Sequence, residues 1–302
     1  MKRPAEVLVV IPTRNRERLL PEAVDSVLAQ EYPEVRIVLV DDGSSDGTPA
    51  VCGRYAEAHP GRILVLRAEG AGCAAARNRG LERMGEETAY VCFLDDDDRL
   101  LPGKIRREVE LLDAAPDEGF VYGDAILYHE ETGRESRHPA AAAGRPGDFS
   151  LEHFLTNEAK TSAILYRAEA VRGRRFREDL LHNEDSEFLQ RVAMANRGIY
   201  CPEPGCWIRW HPGSKSRDLV AIHRAVLRAN ESLLSDYPEF HRRHRLRVDQ
   251  RMEELRRALF AELALAGRWE EAREQARGAL QRAVAALRVR PAVRFLRSLG
   301  VL

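Results

Sequence analysis

Four consecutive aspartates, Asp95-Asp96-Asp97-Asp98, end the apolar run Tyr90-Val91-Cys92-Phe93-Leu94. Adjacent carboxylates repel one another at neutral pH, which is tolerable where they project into solvent or share a cation. A hard divalent ion suits them, because carboxylate oxygens match Mg2+ or Mn2+, which take few protein ligands and leave other positions to water and phosphate. The competing reading is a solvated acidic turn ahead of the helix that Pro102 opens. Two more acidic sets recur along the chain, Asp41-Asp42-Gly43-Ser44-Ser45-Asp46-Gly47 and Asn183-Glu184-Asp185. Turn chemistry explains the first as capping of the following helix, and the helix dipole explains the second as N-terminal acids.

The elements that position these groups are legible from periodicity. Val7 to Ile11 is a β-branched strand stopped by Pro12, and a helix from about Glu17 to Gln30 keeps Leu19, Leu20, Ala23, Val24, Val27 and Leu28 on one face. Further strands are predicted over Val35–Val40, Ile63–Leu66 and Tyr90–Leu94, with helices through Tyr55 and over Ala74–Met84 between them. Strands and helices alternating with short connections mean right-handed βαβ units in a mostly parallel sheet flanked by helices, a Rossmann-like α/β fold. Pro12 to Asn15, Asp41 to Asp46 and Asp95 to Asp98 then share the carboxyl edge of that sheet, where such folds bind ligands. The first strand is followed by no GxGxxG, and the chain has no GxxxxGK[ST], so a diphosphate needs another holder, for which a metal on the aspartates is the candidate.

The 302 residues, 44% hydrophobic and 31% charged, describe a globular chain able to bury a large core, and a net charge of -1 gives no reason to expect nucleic acid as a partner. Five cysteines without a CxxC pair complete no zinc site, and only Cys201 and Cys206 are close enough to suspect pairing. No apolar segment approaches a membrane span, so a cytoplasmic location is expected.

Taken together, Ile11-Pro12-Thr13-Arg14-Asn15, Val40 to Thr48, Gly72 to Leu81 with Arg77-Asn78-Arg79-Gly80, and Phe93 to Pro102 resemble the GT-A glycosyltransferases of family 2, over roughly the first 125 residues. The resemblance implies a nucleotide-sugar donor, UDP-linked, an inverting transfer, Mn2+ or Mg2+ as cofactor, and work in polysaccharide or glycoconjugate synthesis. Matched residue by residue, Pro12, Thr13 and Arg14 sit where the family's first loop lies along the nucleobase. Asp42, or its neighbour Asp41, sits where a carboxylate accepts the uracil N3-H. Asp95-Asp96-Asp97 covers the DxD motif, with Asp97 as the direct metal ligand, Asp95 as a further metal ligand and Asp96 near the ribose. Arg77 is placed to face donor phosphate, or equally to pair with Asp46 or Glu82. Arg14 replaces the aromatic often found in that loop, and a guanidinium also stacks on a base.

The middle of the chain is expected to carry the acceptor, an unidentified hydroxyl compound, lipid-linked or saccharide. A strand over Phe120–Tyr128 precedes a polar, aperiodic stretch from His129 to Asp148 that reads as a mobile loop. Ser150 is read as the cap of a short helix, and Ser162 to Tyr166 as a strand. The resemblance makes the acidic pair at 184 and 185 the source of the general base, Asp185, with Glu184 toward the acceptor. In Trp207-Ile208-Arg209-Trp210-His211-Pro212-Gly213-Ser214-Lys215-Ser216, a lone histidine is more often structural than a ligand. The family's similar segment makes His211 a second metal candidate, places Arg209, Lys215 and Ser216 near phosphate, and makes Trp207 or Trp210 a wall for a sugar ring.

From Asp218 the pattern is helical, over Leu219–Asp236, His241–Ala266, Trp269–Val289 and Pro291–Leu299, and Leu263 to Ala272 resembles a single tetratricopeptide-type hairpin. Packing on the catalytic domain or homodimerisation is the plain role for it. The basic tail with Arg288, Arg290, Arg294 and Arg297 also suits peripheral contact with the inner face of an anionic membrane. The expected organisation is therefore a nucleotide-sugar-binding half at 1–128, an acceptor and base half at 129–217, and a helical extension at 218–302. Other classes stay open beside the inverting glycosyltransferase: a degenerate GT-A scaffold or binding protein, and a sugar-phosphate nucleotidyltransferase, which the first loop disfavours for want of a Gly-rich, Lys-bearing segment.

Overall fold

A computed structural model of the chain describes residues 4–140, 149–157, 159–211 and 218–286. It divides into two compact units, Met1–Ser214 and Lys215–Leu302. The first unit opens with three βα steps and a fourth strand: β1 (Glu6–Thr13), α1 (Leu20–Leu28), β2 (Val35–Asp42), α2 (Thr48–Ala58), β3 (Ile63–Ala68), α3 (Cys73–Leu81) and β4 (Thr88–Phe93). It continues through β5 (Arg99–Leu100), α4 (Lys104–Ala114), β6 (Glu118–His129), β7 (Arg134–His138), α5 (Phe149–Thr156), β8 (Ile164–Arg167), α6 (Ala168–Val171), α7 (Glu184–Ala195) and β9 (Arg197–Trp210).

The strands form one sheet in the order β3-β2-β1-β4-β8-β6-β9-β5, with β7 beside β6. The β3-β2-β1-β4 part is parallel, whereas β8 runs antiparallel to both β4 and β6, so the second half is mixed. Side chains of β1 alternate between two cores. Val7, Val9 and Ile11 face the side packed by α1, α2 and α4, and Leu8 and Val10 face the side packed by α3, α5, α6 and α7. Both faces are covered, which is why these strands read as unbroken apolar runs. Gly80 of α3 is required by this packing, since a Cβ there would stand 2.2 Å from Val10 Cγ1.

Several elements depart from the periodicity. The stretch after His129 is no simple loop: Arg134–His138 pairs with Ala125–His129 as a hairpin, while 141–148 lie outside the described residues. Its strand was hidden because Arg134 to Arg137 are all exposed and carry no apolar alternation. Ser150 is the second residue of α5 rather than its cap, and Ser162 lies in a short 3-10 turn ahead of β8. Strand β9 is interrupted where Gly123 pairs Cys201 and Ala125 pairs Cys206, so that Pro202-Glu203-Pro204-Gly205 bulge out of register. All five cysteines are free, including Cys201 and Cys206.

The second unit holds α8 (Leu219–Asp236), α9 (Pro238–Leu265) and α10 (Trp269–Ala286). Asp218 caps α8 by accepting from Ala221 N at 2.9 Å. Gly267, at φ 71°, turns α9 into α10, where a side chain would strain the backbone. Val248, Met252, Leu255, Leu259 and Leu263 form the buried stripe of α9. Among the described residues, no helix is long and apolar enough to cross a membrane. The expected helix at 291–299 and the basic tail fall outside them, as do Lys215 and Ser216.

Candidate active site

The carboxyl ends of β1, β2, β3 and β4 bring four loops into one network. Asn15 N donates to Ser44 Oγ at 2.9 Å, Ser45 N to Asn15 Oδ1 at 2.8 Å, and Arg16 N to Thr48 Oγ1 at 2.8 Å, which ties the first loop to the second. Asn15 holds a left-handed φ of 54°, a conformation that asparagine tolerates better than most residues. Asp42 is buried, and its two oxygens accept Ala71 N and Gly72 N at 2.9 Å each, which fixes the loop after β3. Asp41, also buried, accepts Ser44 N at 3.0 Å and shapes the turn. Pro12 and Thr13 complete β1, and the Arg14 guanidinium lies over Gly70, where a Cβ would stand 3.6 Å from Nη1.

The acidic turn after β4 points inward more than the solvent reading allows. Asp98 is buried, accepts Ser162 Oγ at 2.8 Å and Arg209 N at 3.2 Å, and so supports the turn from beneath. Burial, with Asp95 and Asp97 close by, pushes its carboxyl well above the usual range. Asp96 accepts Arg14 N at 3.2 Å and Arg16 Nε at 3.4 Å, and burial together with neighbouring Asp97 pushes its carboxyl up to about 7. Asp97 lies 3.1 Å from His211 Nε2 and 3.5 Å from Arg16 Nη2. Residues 114 apart in sequence thus meet at the end of β4, because β9 runs alongside β5 and β6 and ends just before His211.

Arg77 of α3 is buried, and its partners are neither Asp46 nor Glu82. Nη2 donates to Asp95 Oδ1 at 2.7 Å and Nη1 to Glu184 Oε1 at 2.8 Å. Asp46 instead accepts Glu17 N and Thr48 N, and Glu82 takes Arg175. Asp185, half-buried on the first turn of α7, accepts Thr161 Oγ1 at 2.7 Å and Ser186 N at 2.8 Å. Burial works against its ionisation, but the Arg77 charge and those hydrogen bonds outweigh it and hold the carboxyl below its ordinary value. It is a carboxylate at neutral pH. Beneath this first turn an aromatic cluster locks α7 to β4: Phe176 and Phe188 stack at 4.0 Å, and Phe93 meets Phe176 edge-on at 4.9 Å.

The two tryptophans differ in placement. Trp207 is buried rather than open to a ligand: its ring stacks on Tyr128 at 4.8 Å, the Arg99 guanidinium lies 3.7 Å from its centroid, and Nε1 donates to Glu135. Trp210 is 40% exposed and stacks on His129 at 5.5 Å, so it alone of the pair presents a ring. Arg209 is bound up with Glu22 and Glu130. Arg16 escaped the sequence reading, although Arg14-Asn15-Arg16 places two cations in one loop, because its carboxylate partner Asp96 lies 80 residues on.

Among the described residues, no three His, Cys, Asp or Glu side chains already converge as a metal cage. Asp97 and His211 offer an oxygen and a nitrogen in contact, and a crowd of carboxylates whose mutual repulsion a cation relieves. That donor set fits Mn2+ or Mg2+ taking one or two protein ligands, with the rest left to water and phosphate oxygens. Asp95 is engaged with Arg77 rather than gathered with that pair.

The model of the family described as Glycosyl transferase family 2 matches residues 8–179. The chain belongs to glycosyltransferase family 2. Minor teichoic acid biosynthesis protein GgaB of Bacillus subtilis is 28% identical over 189 residues, 61% of this chain but only 20% of GgaB. Among solved structures, the family 2 chain is similar to a mannosyltransferase, PcManGT from Pyrobaculum calidifontis in complex with GDP-Man and Mn2+, with a TM-score of 0.63 and 22% identity over 99% of this chain and 80% of that one. It is also similar to S. aureus TarS 1-349 in complex with UDP, with a TM-score of 0.54 and 20% identity over 74% and 65% of the two chains. These likenesses carry the fold, a GT-A type curled α/β sheet with flanking helices.

Proposed function

We propose that this family 2 chain transfers a sugar from a nucleoside-diphosphate donor, UDP-linked, to an acceptor hydroxyl with inversion at the anomeric carbon. The observation that carries the reading is the 3.1 Å approach of His211 to Asp97 at the same sheet edge as the acidic loops of β1 and β2, with an ionised Asp185 on the adjoining helix. Pro12 to Arg14, Asp41 and Asp42 would shape the shelf for the nucleoside, and Asp96 would accept from a ribose hydroxyl. Asp97 and His211 would hold Mn2+ or Mg2+, which when bound supplies positive charge to a departing diphosphate. Asp185 takes the acceptor O–H proton as that oxygen bonds to the anomeric carbon. The bond from that carbon to the phosphate oxygen breaks with its electrons leaving on the nucleotide. One base and no covalent nucleophile suffice, and attack opposite the leaving group inverts the centre. Trp210, exposed beside His211, offers the acceptor an apolar ring face, and the helical second unit serves for docking on a partner, a second copy or a membrane surface.

Calorimetry with UDP, with and without Mn2+, tests this directly. Metal-dependent binding that Asp97→Ala abolishes is expected. Binding indifferent to the metal would overturn the assignment of Asp97.

A further inference from the structure

We propose that Arg77 is a positioning residue that sets the spacing between the acidic turn of β4 and the base-bearing turn of α7, an inference that rests on the transfer reading above. The guanidinium is planar and rigid, so its two terminal nitrogens hold two carboxylates at a fixed separation and angle. One arm takes Asp95, two residues before Asp97, and the other takes Glu184, next to Asp185. Its side chain is 3% exposed and its guanidinium carbon lies 5.4 Å from the Phe176 ring centroid, so the fork cannot swing out to follow a ligand. Its base is rigid as well, because α3 sits on β1 through Gly80 with no room for a Cβ. The aromatic cluster of Phe93, Phe176 and Phe188 sets the depth of α7 against β4, and Thr161 and His153 hold Asp185 and Ser186 of its first turn. The Arg77 fork adds a direct tie from that turn to the acidic turn of β4. A carboxylate that must meet an acceptor proton in line with a departing diphosphate needs such registration, since misplacement by about 1 Å is worth on the order of 100-fold in rate.

The test pairs Arg77→Lys, which keeps a charge but offers one nitrogen in place of two, with Glu184→Ala, which leaves the cation intact and removes both the charge and the accepting oxygen of its partner. Amide hydrogen exchange of the full chain should rise about tenfold in both 95–98 and 184–188 in each variant. A rise in one segment alone, or in neither, overturns the tie, and this readout stands even if the chain proves not to be a transferase. With the nucleotide sugar that the wild type hydrolyses fastest in Mn2+, each variant should lose 10- to 100-fold in kcat while UDP affinity in Mn2+ stays within about threefold. The double variant should lose no more than the worse single one, because both cut one tie. Loss of UDP affinity with kcat unchanged would instead make Arg77 a ligand of the nucleotide, and multiplicative losses would mean two separate roles. Either result overturns the proposal.

Discussion

His153 gives the sharpest quantitative prediction. It is 1% exposed in α5, stacks on Phe149, and its Nε2 lies 3.0 Å from Ser186 Oγ and 3.2 Å from the Ser186 carbonyl on the first turn of α7. Burial pushes the imidazole down from 6.5 to about 4, against the pull of the Ser186 carbonyl and the Asp185 charge. The unfolded chain therefore takes up a proton near the ordinary histidine value while the folded chain does not until about pH 4. Between those values the unfolded state binds more protons, so stability falls as pH falls. The full effect below pH 4 is about 3 kcal/mol, and the part developed between pH 7.5 and pH 5 is about 2 kcal/mol. His153→Gln keeps a polar nitrogen near the Nε2 position and cannot titrate. Urea unfolding of both proteins from pH 7.5 to 4.5 should show the wild type losing about 2 kcal/mol more than the variant by pH 5. Other carboxyls titrate equally in both and cancel in the difference. Parallel curves would mean that His153 takes up its proton in the folded protein at the same pH as in the unfolded chain, and the burial argument would be wrong.

Other perturbations follow from the same structure. Asp185→Asn should leave Mn2+-dependent UDP binding intact and lower turnover of the nucleotide sugar by about 100- to 10,000-fold, as measured by UDP release. Glu108→Ala strands the fully buried Lys104 ammonium and should cost about 3–5 kcal/mol by denaturant unfolding, whereas the paired change Lys104→Met with Glu108→Leu should recover most of it. Gly80→Ala drives a methyl into Val10 and should cost about 1–3 kcal/mol, with Val10→Ala as second-site relief in the melting temperature.

The first half of the fold was legible because β1, β2 and β4 are apolar runs buried on two faces, edge strand β3 is apolar over Ile63–Leu66, and each is followed by a polar turn. The site loops followed from that, since the carboxyl edge of a parallel sheet is one place. What stayed hidden depended on contacts across the chain. Strand β7 is fully polar and exists through its pairing with β6, and β9 carries Pro202 and Pro204, which read as breaks until the bulge accommodates them. Residue types at Trp207 and Arg209 suggested ligand contacts, yet Tyr128, Arg99, Glu135 and Glu22 absorb them into the scaffold. The fork of Arg77 spans 107 residues to Glu184, a relation that spacing along the chain does not express.

The excursion at Pro202-Glu203-Pro204-Gly205 makes β9 two separately registered ribbons. Pairing before it is anchored by Arg197–Cys201, pairing after it by Cys206–Trp210, and Leu101 N holds the Gly205 carbonyl at the seam. Pro202 and Glu203 are exposed, so a peptide tag or fluorophore inserted between them would lengthen the detour and leave the imidazole of His211 where it is. The seam offers a reporter position a few residues from the chemistry, with the paired stretch Cys206–Trp210 between it and His211.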